Sequence, residues 1–236
     1  MKKIILIPVL NEKNNITRIL KKIRKYYYSD IVYINDNSTD GTTEEIDLLS
    51  KKYKNIFHIN RKNKSGIGSA HKDGIKWCYR KHYDLIISMD GDGSHNPKYI
   101  NKLIRKNIGS DITITNRFLN KNSLRTWSLI RIIITNIRHF LISSLLGIKH
   151  DSSGAFRCIN TKRVKLSDLL IIKEDDYAYF WKSIYFLHKK KYKISEISIS
   201  LPNRGIGYSK MTLKHILHSF FELIRLYISE KILNKR

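Results

Sequence analysis

Between residues 4 and 115, short apolar runs alternate with segments whose apolar residues recur at helical spacing. The runs fall at residues 4–9, 31–34, 55–59, 85–89 and 111–115, each too short for a helix and rich in Ile, Val or Leu. Between them, residues 14–27, 42–53, 66–80 and 96–106 carry helical periodicity, as Ile16, Ile19, Leu20 and Ile23 do in the first. Such alternation predicts an α/β fold with a mostly parallel sheet and helices on both faces. Ligands of such sheets bind outside the carboxyl ends of the strands.

After residue 118 the pattern changes. Helices are expected over 127–146, 174–191 and 211–233, and an alternating strand over 194–201. No unbroken apolar run reaches about 18 residues, so no membrane span is expected, and the start MKKIILIPVLNE lacks the profile of a signal peptide. The two cysteines, Cys78 and Cys158, form no metal-type pair. With 45 Lys and Arg against 20 Asp and Glu, the formal charge is +25, which favours anionic partners. A nucleic-acid binder fits that charge, but no zinc pattern, basic heptad or RNA-binding aromatic motif accompanies it. Nucleic acid is therefore not the expected partner; the anion-rich alternatives are phosphorylated substrates and acidic lipid surfaces.

Four polar clusters stand at expected strand ends. Met89-Asp90-Gly91-Asp92-Gly93 places two carboxylates one residue apart in a turn, a hard oxygen set suited to Mg²⁺ or Mn²⁺; a solvated polar turn is the bland alternative. His95 is near enough to be a further ligand or a phosphate contact, or a structural histidine. Ile7-Pro8-Val9-Leu10-Asn11-Glu12 offers backbone and a carboxylate to a nucleoside, or an acid to a helix N-terminus. Asn35-Asp36-Asn37-Ser38-Thr39-Asp40-Gly41 offers Asp36 to a base or ribose, or forms an Asx-type cap. Lys64-Ser65-Gly66-Ile67-Gly68 opens a helix with glycines able to present N–H groups to an anion, without P-loop or Rossmann spacing.

In order and spacing these clusters resemble family 2 glycosyltransferases of the GT-A fold, and within them the dolichyl-phosphate (polyprenyl-phosphate) mannosyltransferases. Where those enzymes typically read IPTYNE, VDDNSPDGT and MDADLSHPP, this chain reads IPVLNE, INDNSTDGT and MDGDGSHNP. Later blocks agree: Thr115-Asn116-Arg117 for GSR, Asp151 to Arg157 for D-x-TSGFR, and Arg204 to Met211 for R-x-x-G-x-SKM. Asn35 departs from the usual acid, Val9 and Leu10 from Thr-Tyr, Gly93 from a larger residue, and Lys182 falls near a usual acid.

The resemblance implies inverting transfer of a sugar, mannose from GDP-mannose foremost, to dolichyl or polyprenyl phosphate. It implies Mg²⁺ or Mn²⁺ on Asp90 and Asp92, with His95 possible, and places Asp90, Asp92, Arg117 and Arg204 around the reacting charge. It assigns Pro8, Val9, Asn11, Glu12, Asn35, Asp36, Lys64 and Gly91 to the nucleotide, and Ser153, Arg157, Arg204 and Lys210 to the acceptor phosphate. A catalytic domain is expected over 1–210, with an acceptor-side helical region and an amphipathic, membrane-interfacial segment over 211–236. With the chain closing at Arg236, the enzyme would be peripheral on the cytoplasmic face of a membrane, alone or with an anchoring partner subunit. The rival within the family transfers to a hydroxyl acceptor during surface-polysaccharide synthesis, with Asp175 or Asp176 as base.

Overall fold

The computed structural model describes residues 1–202, 210 and 212–233. Arg204 lies outside the described residues.

Strands β1 (Lys3–Val9), β2 (Asp30–Asn35), β3 (Ile56–Asn60) and β4 (Leu85–Ser88) alternate with α1 (Lys13–Tyr26), α2 (Thr42–Lys52) and α3 (Ile67–Arg80). A 3₁₀ turn (Pro97–Tyr99) and α4 (Ile100–Asn107) lead to β5 (Ile112–Asn116). The second half contributes α5 (Leu129–Leu146), β6 (Arg157–Asn160), α6 (Leu166–Leu170), α7 (Ala178–Lys189), β7 (Ile194–Ser198) and α8 (Leu213–Leu233). One seven-stranded sheet results, in the order β3-β2-β1-β4-β6-β5-β7.

The sheet is buried on both faces. Ile4, Ile5, Leu6 and Ile7 of β1 are all fully inaccessible, as continuous apolar strands of parallel sheets should be. Alternate residues serve opposite layers: Ile4 and Leu6 pack with Ile75 and Cys78 of α3, and Ile5 and Ile7 with Ile16, Ile19 and Ile23 of α1. α3 comes so close that a Cβ on Gly74 would stand 2.6 Å from Leu6 Cδ1.

Two expectations change. The strand β6, unforeseen in the sequence, runs antiparallel between β4 and β5, so the sheet is mixed although mostly parallel. The helix expected from residue 174 starts at Ala178. The Asp175 carbonyl accepts from Gly68 and Ser69 instead, and Asp176 Oδ1 accepts the Ala178 N–H at 2.8 Å in the turn that precedes the helix.

α5 bears on the expectation about spans. Over Leu129–Leu146 it is long and apolar enough to cross a membrane by length and composition, with only 11% of that window buried. Arg131 and Arg138 break its apolar run, and both line an internal cavity. Leu129, Ile133 and Phe140 are 77%, 55% and 67% exposed. α8 packs against α5 and α7 and exposes Leu213, Leu217, Phe220 and Phe221 in turn.

Candidate active site

β1 has β2 on one side and β4 on the other, so the chain order reverses beside it. A crevice opens at such a switch point. Here it is a cavity of about 890 Å³. Pro8 to Glu12 line it from the end of β1, Asp36 from β2, Asp90, Gly91, Asp92 and His95 from β4, and Lys64 and Gly66 from the start of α3. Arg117, Ser153 and Lys210 also line it.

The acidic turn is tightly constrained. Asp92 is buried, 4% exposed, and its Oδ1 accepts the Ser94 N–H at 2.9 Å. Gly93 takes φ 78°, a conformation that favours glycine. A Cβ on Gly91 would lie 2.8 Å from Val9 Cγ1 and 3.2 Å from the Pro8 carbonyl, so the turn needs glycine to rest against β1. His95 stacks on Phe156, and its Nδ1 accepts the Asp90 backbone N–H at 2.9 Å. In neutral imidazole the proton then sits on Nε2, which lies 3.7 Å from Asp90 Oδ2. This geometry makes His95 a support for the Asp90 turn and does not present a lone pair to a cation.

The donor set fits a hard divalent ion. Two carboxylates stand on one turn, and among the described residues no three acids, histidines or cysteines gather into a closed metal centre. Such a pair suits an ion that takes its remaining ligands from a bound diphosphate and water.

Other expected residues divide. Asn35 is not among the residues lining the cavity; its amide donates to Thr43 and Asn60 and its oxygen accepts the Ser38 N–H, which shapes the turn after β2. Asn11, at φ 51°, exchanges hydrogen bonds with Ser38 and Thr39 across the rim. Glu12 ion-pairs with Lys210 at 2.5 Å, and Lys210 also donates to the Leu10 carbonyl. A lysine expected on an acceptor phosphate thus bonds to the chain segment that follows β1. Arg157 is absent from the lining. Its guanidinium is buried, bonded to the Ser152, Gly154 and Phe180 carbonyls and to Ser183 Oγ, so it ties β6 to α7 inside the core. Lys182 is also buried, between Glu174 and Glu222.

Arg131 and Arg138 of α5 were not among the residues expected at the site. They stand seven residues apart with Thr135 between, one face of a helix, and that spacing was the available signal. All three line the cavity beside Arg117. Arg131 lies over the Trp127 ring, 3.5 Å from its centroid, and Arg138 donates to Ser153 Oγ at 2.9 Å. Burial, with the like charge of Arg117 nearby, pulls Arg138 down to about 10, still cationic at neutral pH. Apolar walls accompany the arginines: Ile130, Ile134, Ile137 and Leu141 of α5, Phe180 and Trp181 of α7, and Ile216, Phe220 and Leu223 of α8.

Residues 4–164 match the sequence profile of glycosyl transferase family 2. The chain belongs to this family. Similar proteins within reach include the polyprenol monophosphomannose synthase of Mycolicibacterium smegmatis, 26% identical over 228 residues, covering 93% of this chain and 84% of that protein. The undecaprenyl-phosphate mannosyltransferase of Micrococcus luteus is 25% identical over 214 residues, covering 90% and 88%. Among solved structures, glucosyl-3-phosphoglycerate synthase from Mycobacterium tuberculosis, crystallised with Mn²⁺, UDP-glucose and phosphoglyceric acid, superposes with TM-score 0.69. It is 12% identical, with 97% of this chain and 79% of that one covered. That likeness establishes the GT-A fold for this family 2 glycosyltransferase.

Proposed function

We propose that this glycosyltransferase moves a sugar, mannose in the favoured case, from a nucleotide-sugar to the phosphate of a membrane polyprenol. The single observation that carries the reading is the composition of one cavity. An acidic turn and a glycine-rich helix start, the three arginines Arg117, Arg131 and Arg138, and apolar walls from α5, α7 and α8 all line it. A nucleoside diphosphate, a phosphate and an isoprenoid chain call for those three environments together. The two mannosyltransferase relatives act, by their names, on polyprenyl phosphates.

Asp90 and Asp92 would hold Mg²⁺ or Mn²⁺, which supplies charge stabilisation for the departing nucleoside diphosphate. Asp36, Glu12 and Lys64 bound the nucleoside end. Arg117 carries fixed positive charge to where the acceptor phosphate meets the anomeric carbon, with Arg131, Arg138 and Ser153 around it. A phosphate monoester is already anionic at neutral pH, so a single inverting displacement proceeds without a dedicated base. Positioning the two reactants is then the main task of the protein.

The enzyme is read as peripheral on the cytoplasmic face. Spanning the bilayer with α5 would place Arg138, at mid-helix, in hydrocarbon, at about 2.5–3.5 kcal/mol on insertion scales. Lying in the interface leaves Arg131 and Arg138 in the cavity while Ile133 and Phe140 enter lipid, and a charge of +25 is drawn to an anionic leaflet. Residues 1–210 form the catalytic unit in this reading and 211–236 the interfacial segment, with an anchoring subunit as a further partner.

One assay tests the reading: radiolabelled GDP-mannose or UDP-glucose with Mn²⁺ and polyprenyl phosphate, followed by solvent extraction. Label in the lipid phase is expected. Label only in water-soluble glycan would defeat it and favour a hydroxyl acceptor, for which Asp176, on the cavity wall and 2.6 Å from His218 Nδ1, is the available acid.

A further inference from the structure

Arg61 follows β3 directly, and its backbone N–H donates to the Asn35 carbonyl at 2.9 Å. Its guanidinium is nearly buried, with 9% of the side chain exposed. It spans three partners from two elements: Nη1 on Asp36 Oδ1, Nη2 on Ser69 Oγ, and Nε on Asp73 Oδ2 at 3.0 Å. The planar fork of arginine can do this; the single ammonium of lysine cannot reach the same three directions.

Asp36 is the partner that also lines the cavity. Its Oδ1 takes a second donor, the Ser65 N–H at 3.1 Å, and its Oδ2 takes the Gly66 N–H at 3.0 Å. An ionised carboxylate has about four lone-pair positions. Three are filled from within the fold, and two donors crowd onto one oxygen. The carboxylate is therefore held in one orientation, with room for one more donor, on Oδ2.

We propose that Arg61 is a positioning residue that fixes Asp36 as an acceptor for one hydrogen bond from the donor nucleoside. The ligand group is a single O–H or N–H, a ribose hydroxyl or one base imino group. This rests on the reading of Asp36 as a nucleoside contact. Without Arg61 the carboxylate keeps the Ser65 and Gly66 N–H donors but loses its charged tether to α3, so it is held less firmly and the nucleotide must complete its ordering on binding.

Calorimetric titration with GDP and with UDP, each with Mn²⁺, tests this on wild type, Asp36→Asn, Arg61→Met and the double variant. Arg61→Met should weaken the nucleotide that binds by about tenfold or more, the loss of a charged hydrogen bond. In the Asp36→Asn background the same change should have almost no further effect, because coupled residues are not additive. Additive losses, or wild-type affinity in Arg61→Met, would overturn the proposal while leaving the nucleoside reading intact. Wild-type affinity in Asp36→Asn, or binding of neither nucleotide to wild type, defeats that reading and this one with it. Should Arg61→Met fail to fold by circular dichroism, Ser69→Ala and Asp73→Ala each release one tether of the guanidinium and leave Asp36 untouched. Weaker nucleotide binding in both is expected, and unchanged affinity in both counts against the proposal.

Discussion

Arg117 Nε meets Asp151 Oδ2 at 2.7 Å, where the two side chains are 8% and 1% exposed. The same oxygen takes the Arg117 backbone N–H at 2.9 Å, so one carboxylate fixes both the end of β5 and the guanidinium that lines the cavity. Burial works against ionisation of Asp151, but the charge and hydrogen bonds of Arg117, with Arg138 behind, hold it below the usual carboxylate range. A depressed native pKa contributes stability that is complete above the unfolded value of about 3.9 and is lost as pH falls through the lower native value. Urea midpoints measured from pH 7 down to pH 2 should therefore fall more steeply for wild type than for Asp151→Asn. Asp151→Ala, which strands a buried cation, should cost about 3–5 kcal/mol at pH 7.

Asp92→Ala should remove the Mn²⁺-dependent part of any thermal shift produced by GDP-mannose or UDP-glucose. Transfer should fall by about 100-fold or more, the scale of several kcal/mol of leaving-group stabilisation. An equal Mn²⁺ response in wild type and variant would remove Asp92 from the metal site.

His95 separates support from ligation. Because its Nδ1 accepts the Asp90 N–H, His95→Asn can replace that acceptor with an amide oxygen and should stay near wild-type stability. His95→Ala leaves the N–H without an acceptor and should cost about 1–3 kcal/mol in urea denaturation. Equal loss of Mn²⁺ affinity in both variants would instead make the ring itself a ligand.

Gly91→Ala should damage activity more than folding. Its new methyl would press on Val9 and the Pro8 carbonyl, and the turn bearing both carboxylates must shift to relieve it. Overpacking of this kind costs about 1–3 kcal/mol, while kcat/KM should drop by about tenfold or more because displaced catalytic groups lose effective molarity.

Ile133→Asp and Phe140→Asp lie on the exposed face of α5 and do not line the cavity. Each should weaken sedimentation with phosphatidylglycerol vesicles by about tenfold, the worth of one buried apolar side chain. Calorimetric nucleotide affinity should remain at the wild-type value.

The first four strands were legible because each is a short apolar run closed by a polar turn, and the acid turn after β4 was legible for the same reason. β6 was not, since Arg157-Cys158-Ile159-Asn160 is too short and too polar at its ends to carry a period. Only its place between β4 and β5 makes it a strand. The same limit explains Arg157, whose motif resembled a phosphate contact but whose guanidinium is surrounded by carbonyls of two separate segments. Lys182 looked like a missing acid, and its meaning came only with Glu174 and Glu222, 8 and 40 residues away in sequence. Local patterns reveal elements and turns; a residue whose partners are distant in sequence shows its role only in the folded chain.

The bond from Lys210 to Glu12 joins positions 198 residues apart. During synthesis the amino-terminal sheet can begin to fold long before residue 210 leaves the ribosome. The rim beside β1 therefore stays open in a newborn chain until residue 210 has emerged.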